Sequence, residues 1–190
     1  SVNLGWIDLL TGSFTVQEAR IKSLAVQYVV DEQGRDNLPK SSAPEGASPA
    51  ERPVWDTIAS LQISEGSFLF EDRQRKLRLS LPLWQFKMAL DDQNHQVRFS
   101  TGRTGEGAFE GHSFPIERLE LDALLGTTGL KLKTLAVSAA GAGMEVSGSV
   151  DDFSNPDFDL AFRAGFDLGR ISTHFPIQKV QTGNVAAEGS

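Results

Sequence analysis

An all-β fold of long strands, each with one apolar face, is predicted by three observations. Phe158, Leu160, Phe162, Ala164, Phe166 and Leu168 share one parity, while Asp157, Asp159, Ala161, Arg163, Gly165 and Asp167 share the other. Strand side chains point to opposite faces at every second residue, so this run has an apolar face and a charged or small one. From Pro156 to Gly169 it spans roughly 40 Å at about 3.3 Å per residue, longer than an ordinary strand. Secondly, Gly102, Gly105, Gly107, Gly126, Gly129, Gly141, Gly143 and Asp151-Asp152 punctuate the second half at roughly the eight-to-twelve-residue spacing of a β-meander. Thirdly, twelve phenylalanines stand against a single tyrosine, a choice of rings without a polar handle that suits a dry face.

The elements follow in order. Residues 6–12 are too short for a stable helix and read as a packed turn or a strand end. From Phe14 to Asp31 the pattern is extended, with Leu24, Val26, Tyr28 and Val30 on one parity, and a turn follows over Glu32–Asn37. Pro39, Pro44, Pro49 and Pro53 stand among Ser, Ala, Gly and Glu, so residues 39–53 are expected to be a flexible loop. Strands resume with Leu61-Gln62-Ile63 and Gly66–Asp72. Leu77, Leu79, Leu81 and Leu83 then alternate with polar residues until Trp84, Phe86, Met88 and Leu90 take the opposite parity. Such a flip requires a bulge, or a turn joining two strands, and Pro82 marks an edge or the break itself. Further strands are expected at Gln96–Thr101, Gly107–His112, Ile116–Leu125, Leu130–Ser138 and Met144–Val150. Ile116–Leu125 could also read as a helix, but Pro115 and the Leu119/Leu121 alternation favour a strand, leaving little helix anywhere.

The chain has 190 residues, 18 basic and 25 acidic, for a net charge of −7. That length suits one domain, or an elongated module. No basic cluster is long enough to grip a phosphate backbone, which argues against nucleic acid; Arg73-Gln74-Arg75-Lys76 reads as the solvated side of a strand. Without cysteine there is no disulfide, thiolate metal site or thiol nucleophile. No stretch approaches the ~20 apolar residues of a membrane span. A start at Ser1 and a tail with no closing element are expected of a piece excised from a longer chain.

Catalytic constellations are not found. His95, His112 and His174 lie far apart, with no HExxH, paired metal-ligand or GxSxG spacing around them. The acidic stretch Asp151–Asp159 fails the calcium-loop spacing and is broken by Pro156, so it reads as a turn feeding a strand. No metal or cofactor is implied and no enzyme activity is expected. What remains is apolar surface, which either closes against a second sheet as a sandwich or stays open as the groove of a single curved sheet.

Leu9-Leu10-Thr11-Gly12, then Val16, Ile21, Leu24, Val26 and Tyr28, followed by Asp31–Leu38, resemble the opening module of the AsmA-like proteins of Gram-negative bacteria. Gly141 through Val150, Asn155–Leu160 and Phe166-Asp167-Leu168 resemble the strand repeats of the same superfamily, which includes TamB. The Pro-rich insert departs from the pattern, and the membrane helix of the family is missing from this piece. The resemblance implies a long antiparallel sheet curved into a U-shaped hydrophobic groove. It also implies a periplasmic segment of an inner-membrane-anchored protein, with residues 1–38 as the AsmA-like module and 54–190 as groove strands.

The function expected on both grounds is to shield phospholipid acyl chains between inner and outer membrane, with envelope proteins of either membrane as further partners. The alternative is a closed β-sandwich serving as a structural or protein-binding module in envelope assembly. The residues expected to line the groove are Phe158, Leu160, Phe162, Phe166 and Leu168 on the last long strand. Met144 and Val146, Leu119 and Leu121, and Leu77, Leu79 and Leu81 are expected to line it on neighbouring strands.

Overall fold

A computed structural model describes residues 2–4, 16–38, 58–91, 93–175 and 183–189. The described strands are β1 (Val2–Leu4), β2 (Val16–Val30), β3 (Ser60–Asp72), β4 (Leu77–Asp91), β5 (Asn94–Thr101) and β6 (Gly105–Phe109). They continue with β7 (His112–Leu125), β8 (Leu130–Ala139), β9 (Ala142–Asp151), β10 (Asp157–Asp167) and β11 (Asn184–Gly189), with one helix, α1 (Leu168–His174), between the last two. All eleven strands join one sheet in the order β1-β2-β3-β4-β5-β7-β8-β9-β10-β11, and β6 fills the slot between β4 and β7 beside β5. The expectations for residues 6–12, for the Leu-Leu-Thr-Gly turn and for the 39–53 loop lie outside the described residues.

The sheet is mixed, which corrects the expectation of a wholly antiparallel one: β2 and β3 run parallel, and every other pair is antiparallel. Parallel neighbours need a crossover of a dozen or more residues, and residues 31–59 are long enough to carry the chain back. Its opening turn is built from the motif residues. Asp31 Oδ1 accepts from the backbone N–H groups of Gln33 and Arg35, both at 2.9 Å, and Gly34 takes a positive φ of 77°. Asn37 then lies against the edge of β2, its Oδ1 accepting from Val29 N–H at 2.9 Å and its Nδ2 donating to Gln27 C=O at 3.0 Å.

The parity flip foreseen in the fourth strand is a bulge inside one continuous β4. Leu81 pairs with Phe68 and Trp84 with Gly66, so both face the same way, and residues 82 and 83 together oppose the single residue Ser67, one residue in excess. Pro82 sits where neither β5, which pairs up to Trp84, nor β6, which pairs from Ser80, needs its missing N–H. Matching irregularities cross the sheet in one row. β3 shifts between Ile63 and Gly66, β5 and β6 are interrupted at 102–104, and β7 shifts between Ile116 and Arg118. Bulges bend a strand and increase its twist, so a row of them is a crease. Gly102 lies in this break, whereas Gly105 and Gly107 are buried within β6 and do not form the turn expected of them. The expected strand Gly107–His112 is divided by a tight turn at Glu110-Gly111, whose φ values of 49° and 87° are those of a two-residue hairpin.

The core lies along the crease. Ile63, Leu81, Trp84 and Ile116 are buried in one cluster, against which Leu24, Phe68, Leu79, Phe86, Phe99, Phe114, Leu119 and Ala139 pack. Trp84 stacks on Phe99 with ring centroids 5.6 Å apart. Ile116–Leu125 is strand, as expected, within β7. The last long strand ends two residues early, at Asp167. Asp167 caps α1 by accepting from Arg170 N–H at 3.0 Å, and Leu168 becomes the first helical residue instead of a strand residue. A short side chain that can bond the backbone two or three positions ahead makes Asp167 a helix start despite the alternation around it.

Candidate functional site

Partners in strand register project their side chains to the same side, so the pairing decides which expected lining residues belong together. Phe162 pairs with Val146, Val146 with Leu135, Leu135 with Leu121 and Leu121 with Phe99. Phe99 pairs with Phe86, Phe86 with Ile63 and Ile63 with Ile21, completing an apolar row from β10 to β2. Parallel rows run through Met144, Val137 and Leu119, and through Phe158, Val150 and Leu130. Leu160 faces Gly148 and Phe166 faces Ala142 on the same side. Leu79 and Leu81 pair with Phe70 and Phe68, and Leu77 with Phe109. All the expected lining residues except Leu168 therefore share one face of the sheet.

Their exposure is uneven. Phe158 is 63% exposed, Phe162 46%, Met144 42% and Phe166 40%, whereas Leu81 is 7% exposed, part of the buried cluster. Leu81, expected to line the groove, is enclosed instead of open to solvent: its place beside the bulge sets it in the cluster with Trp84 and against Phe68. Val146, Leu160, Leu119, Leu121, Leu77 and Leu79 are half-buried. Leu135, Val137 and Val185 belong to the face but were not singled out from sequence. A register shift between Leu132 and Leu135 breaks the alternation of β8, and Val185 stands in a strand of only six residues.

The other face is charged, with neighbouring signs alternating. Arg98 bonds Asp122 at 3.2 Å, and Lys133 approaches it from the far side at 4.0 Å. Arg118 lies 2.7 Å from Glu120 and 3.6 Å from Glu145, and Arg163 lies 2.7 Å from Glu188. The hydrogen bond from Arg118 holds the Glu120 carboxyl below its ordinary range and raises the guanidinium. Exposed pairs of this kind contribute roughly 0–1 kcal/mol each, but a one-residue slip would bring like charges together and carry them to the apolar side. A shallow depression of about 550 Å³ lies between Lys133, Glu145, Arg163 and Glu188, where each cation is matched by a carboxylate.

The histidines stay apart. His95 is buried with Nε2 3.3 Å from Ile58 O, His174 Nδ1 is 3.2 Å from Ser113 O, and His112 leans on Phe175. Asp152 accepts from Ser154 N–H at 3.0 Å with a φ of 53°, the work of a turn residue. Among the described residues no group of three or more His, Asp or Glu is placed to hold a metal ion, and no helix is long and apolar enough to cross a membrane. α1 folds back over the start of β7. Arg170 bonds Glu117 at 2.8 Å, and Phe175 meets Phe114, a residue of the apolar face, at 5.5 Å between ring centroids.

No protein-family model, curated protein or solved structure matches this chain. The AsmA-like resemblance accordingly rests on its motif residues alone.

Proposed function

We propose that this chain is a lipid-shielding segment whose apolar sheet face forms a curved groove for phospholipid acyl chains, within a protein that carries lipid across the periplasm from the inner membrane. The observation that carries the reading is the uninterrupted apolar row from Phe162 to Ile21, backed by a face of alternating charge. Each methylene taken from water onto such a face contributes ~0.8 kcal/mol, so a chain of ordinary length is held without any polar contact. Bulges bend the strands that carry them, so a row of bulges supports the reading of a groove. The AsmA-like motifs point the same way and suggest the periplasmic setting.

The test is mass spectrometry of lipid retained by the purified protein, compared with Phe162→Asp. Phe162 is exposed enough for a carboxylate there to stay hydrated, so the variant should fold and yet lose its lipid. Absence of lipid from the parent, or equal retention by a folded variant, overturns the reading. The buried cluster around Trp84 favours a second reading, a structural β-module closed on its own apolar side chains. Such a module would bind little hydrophobic dye in its native state.

A further inference from the structure

Resting on that reading, we propose that acyl chains are held only on the stretch of the apolar face formed by β9–β11, and that the buried cluster of β3, β4 and β7 is a closed wall that admits none. One continuous face shows two conditions. On β9–β11, Phe158, Phe162, Phe166, Met144 and Val185 are 40–63% exposed, while Ile63, Leu81, Trp84 and Ile116 on β3, β4 and β7 are 7–8% exposed; Leu90 and Phe109, the exposed apolar residues of β4 and β6, stand outside this cluster at the ends of their strands. In the wall, inward-facing side chains already bury one another, and a guest would have to displace them from a close-packed cluster.

The register accounts for the difference. β3, β4, β7 and the interrupted β5–β6 strand each carry an irregularity in the same row, and the bends bring their apolar side chains together. Pairing of β10 with β9 instead runs unbroken from Asp157↔Asp151 to Phe166↔Ala142, and with β11 from Phe162↔Gly189 to Asp167↔Asn184. Nothing in that ladder draws the face inward.

The chemistry of the open stretch selects a hydrocarbon over a protein partner. Its inward residues are Leu, Val, Ala, Gly, Met and Phe, and the backbone groups between its strands are committed to the ladders. A protein interface ordinarily carries about one hydrogen bond per 100–200 Å², and no side chain of this surface could make one. An acyl chain needs no hydrogen bond. Phe158 to Phe166 spans roughly 26 Å along β10. The hydrocarbon of one bilayer leaflet is about 15 Å deep, so a chain lying along this strand stays on apolar side chains throughout.

The test reads position from tryptophan quenching. With Trp6→Phe and Trp55→Phe, Trp84 on β4 is the one tryptophan left of three, roughly 19 Å in strand spacings from β9. Adding Phe158→Trp, or separately Phe166→Trp, places a reporter at either end of the open stretch. Each protein is incubated with phosphatidylcholine vesicles carrying brominated acyl chains, against unbrominated controls, and lipid retained after re-isolation is measured by mass spectrometry. The added tryptophans should lose most of their emission while Trp84 alone keeps most of its own. Equal quenching of Trp84, or retained lipid that leaves both added tryptophans unquenched, overturns the location while sparing the lipid reading. No retained lipid and no quenching overturns both. A concentration-dependent blue shift of the added tryptophans without lipid would assign the face to a second copy of the chain and overturn the proposal.

Discussion

Replacing Gly66 with alanine should destabilise this protein, although alanine is ordinarily the better strand residue. Gly66 pairs with Trp84 across β3 and β4, and the indole lies over its Cα: a Cβ built there falls closer than 3.0 Å to three atoms of the ring. Real Cβ atoms do not approach so near, so either the ring or the strands must shift. The ring has little freedom, being 7% exposed, stacked on Phe99 and packed among Ile63, Leu81 and Ile116. Its Nε1 is buried without a hydrogen-bond partner, so packing alone holds it in place.

Expelling the indole altogether would forfeit about 4–6 kcal/mol, taking 150–250 Å² at ~25 cal/mol per Å². A partial shift is cheaper, in the range of about 1–3 kcal/mol found for overpacked cores. Removing glycine's extra freedom in the unfolded chain returns roughly 0.5–1 kcal/mol. The net expectation is a loss of about 1–2 kcal/mol, or roughly 2–8 °C in Tm for a chain of this size. Urea unfolding followed by circular dichroism measures it, with near-ultraviolet bands reporting the Trp84 environment. Gly165→Ala is the control: its Cβ would meet nothing nearer than Val185 O at 4.0 Å, and it should be neutral or mildly stabilising. If Gly66→Ala matches that control, the indole does not occupy the space above Gly66, and the account of the crease is wrong.

Three further outcomes follow from individual contacts. Glu117→Gln should raise amide exchange across residues 168–174 severalfold, because Arg170 loses the carboxylate that seats α1, and unchanged exchange would show the helix to be held by Phe175 alone. The Asp31 carboxyl is held below its ordinary range chiefly by the backbone N–H of Arg35, and Glu120 by the Arg118 side chain. Their contribution is therefore present above the unfolded carboxylate value of about 4 and is lost as pH falls through the lower folded value. Amide protection of the 31–37 turn should decline in that acid window, and Asp31→Asn should abolish the pH dependence; an unaltered acid profile in the variant would refute the assignment. Gly148 has a φ of 139° and its Cβ would strike the backbone of Asp159, so Gly148→Ala should disturb β9–β10 pairing and lower Tm more than Gly66→Ala does, with equal Tm values counting against the close approach.

Much of this architecture is legible in the chain because side-chain alternation is a local property. The six residues from Phe158 to Leu168 announce a strand without reference to any neighbour, and the Leu81-to-Trp84 flip announces a bulge because apolar groups must stay on one side. The end of that strand was not legible: Leu168 keeps the alternation, while the cap made by Asp167 and the docking of Arg170 on Glu117 turn it into a helix. The parallel pairing of β2 with β3 was equally hidden, since strand direction depends on the path of the connection and not on the strand's own pattern.

The amino-acid order by itself determined an all-β chain with a greasy side and a charged side, and identified many of the residues on the greasy one. Tertiary structure alone decided which of those greasy residues water can reach. Phe162 and Leu81 look alike in the pattern, yet one is 46% exposed and the other 7%. The reason is that alternation fixes only the direction a side chain leaves its own strand. Burial depends on whether neighbouring strands bend toward it, and that is set jointly by bulges at positions far apart in the chain.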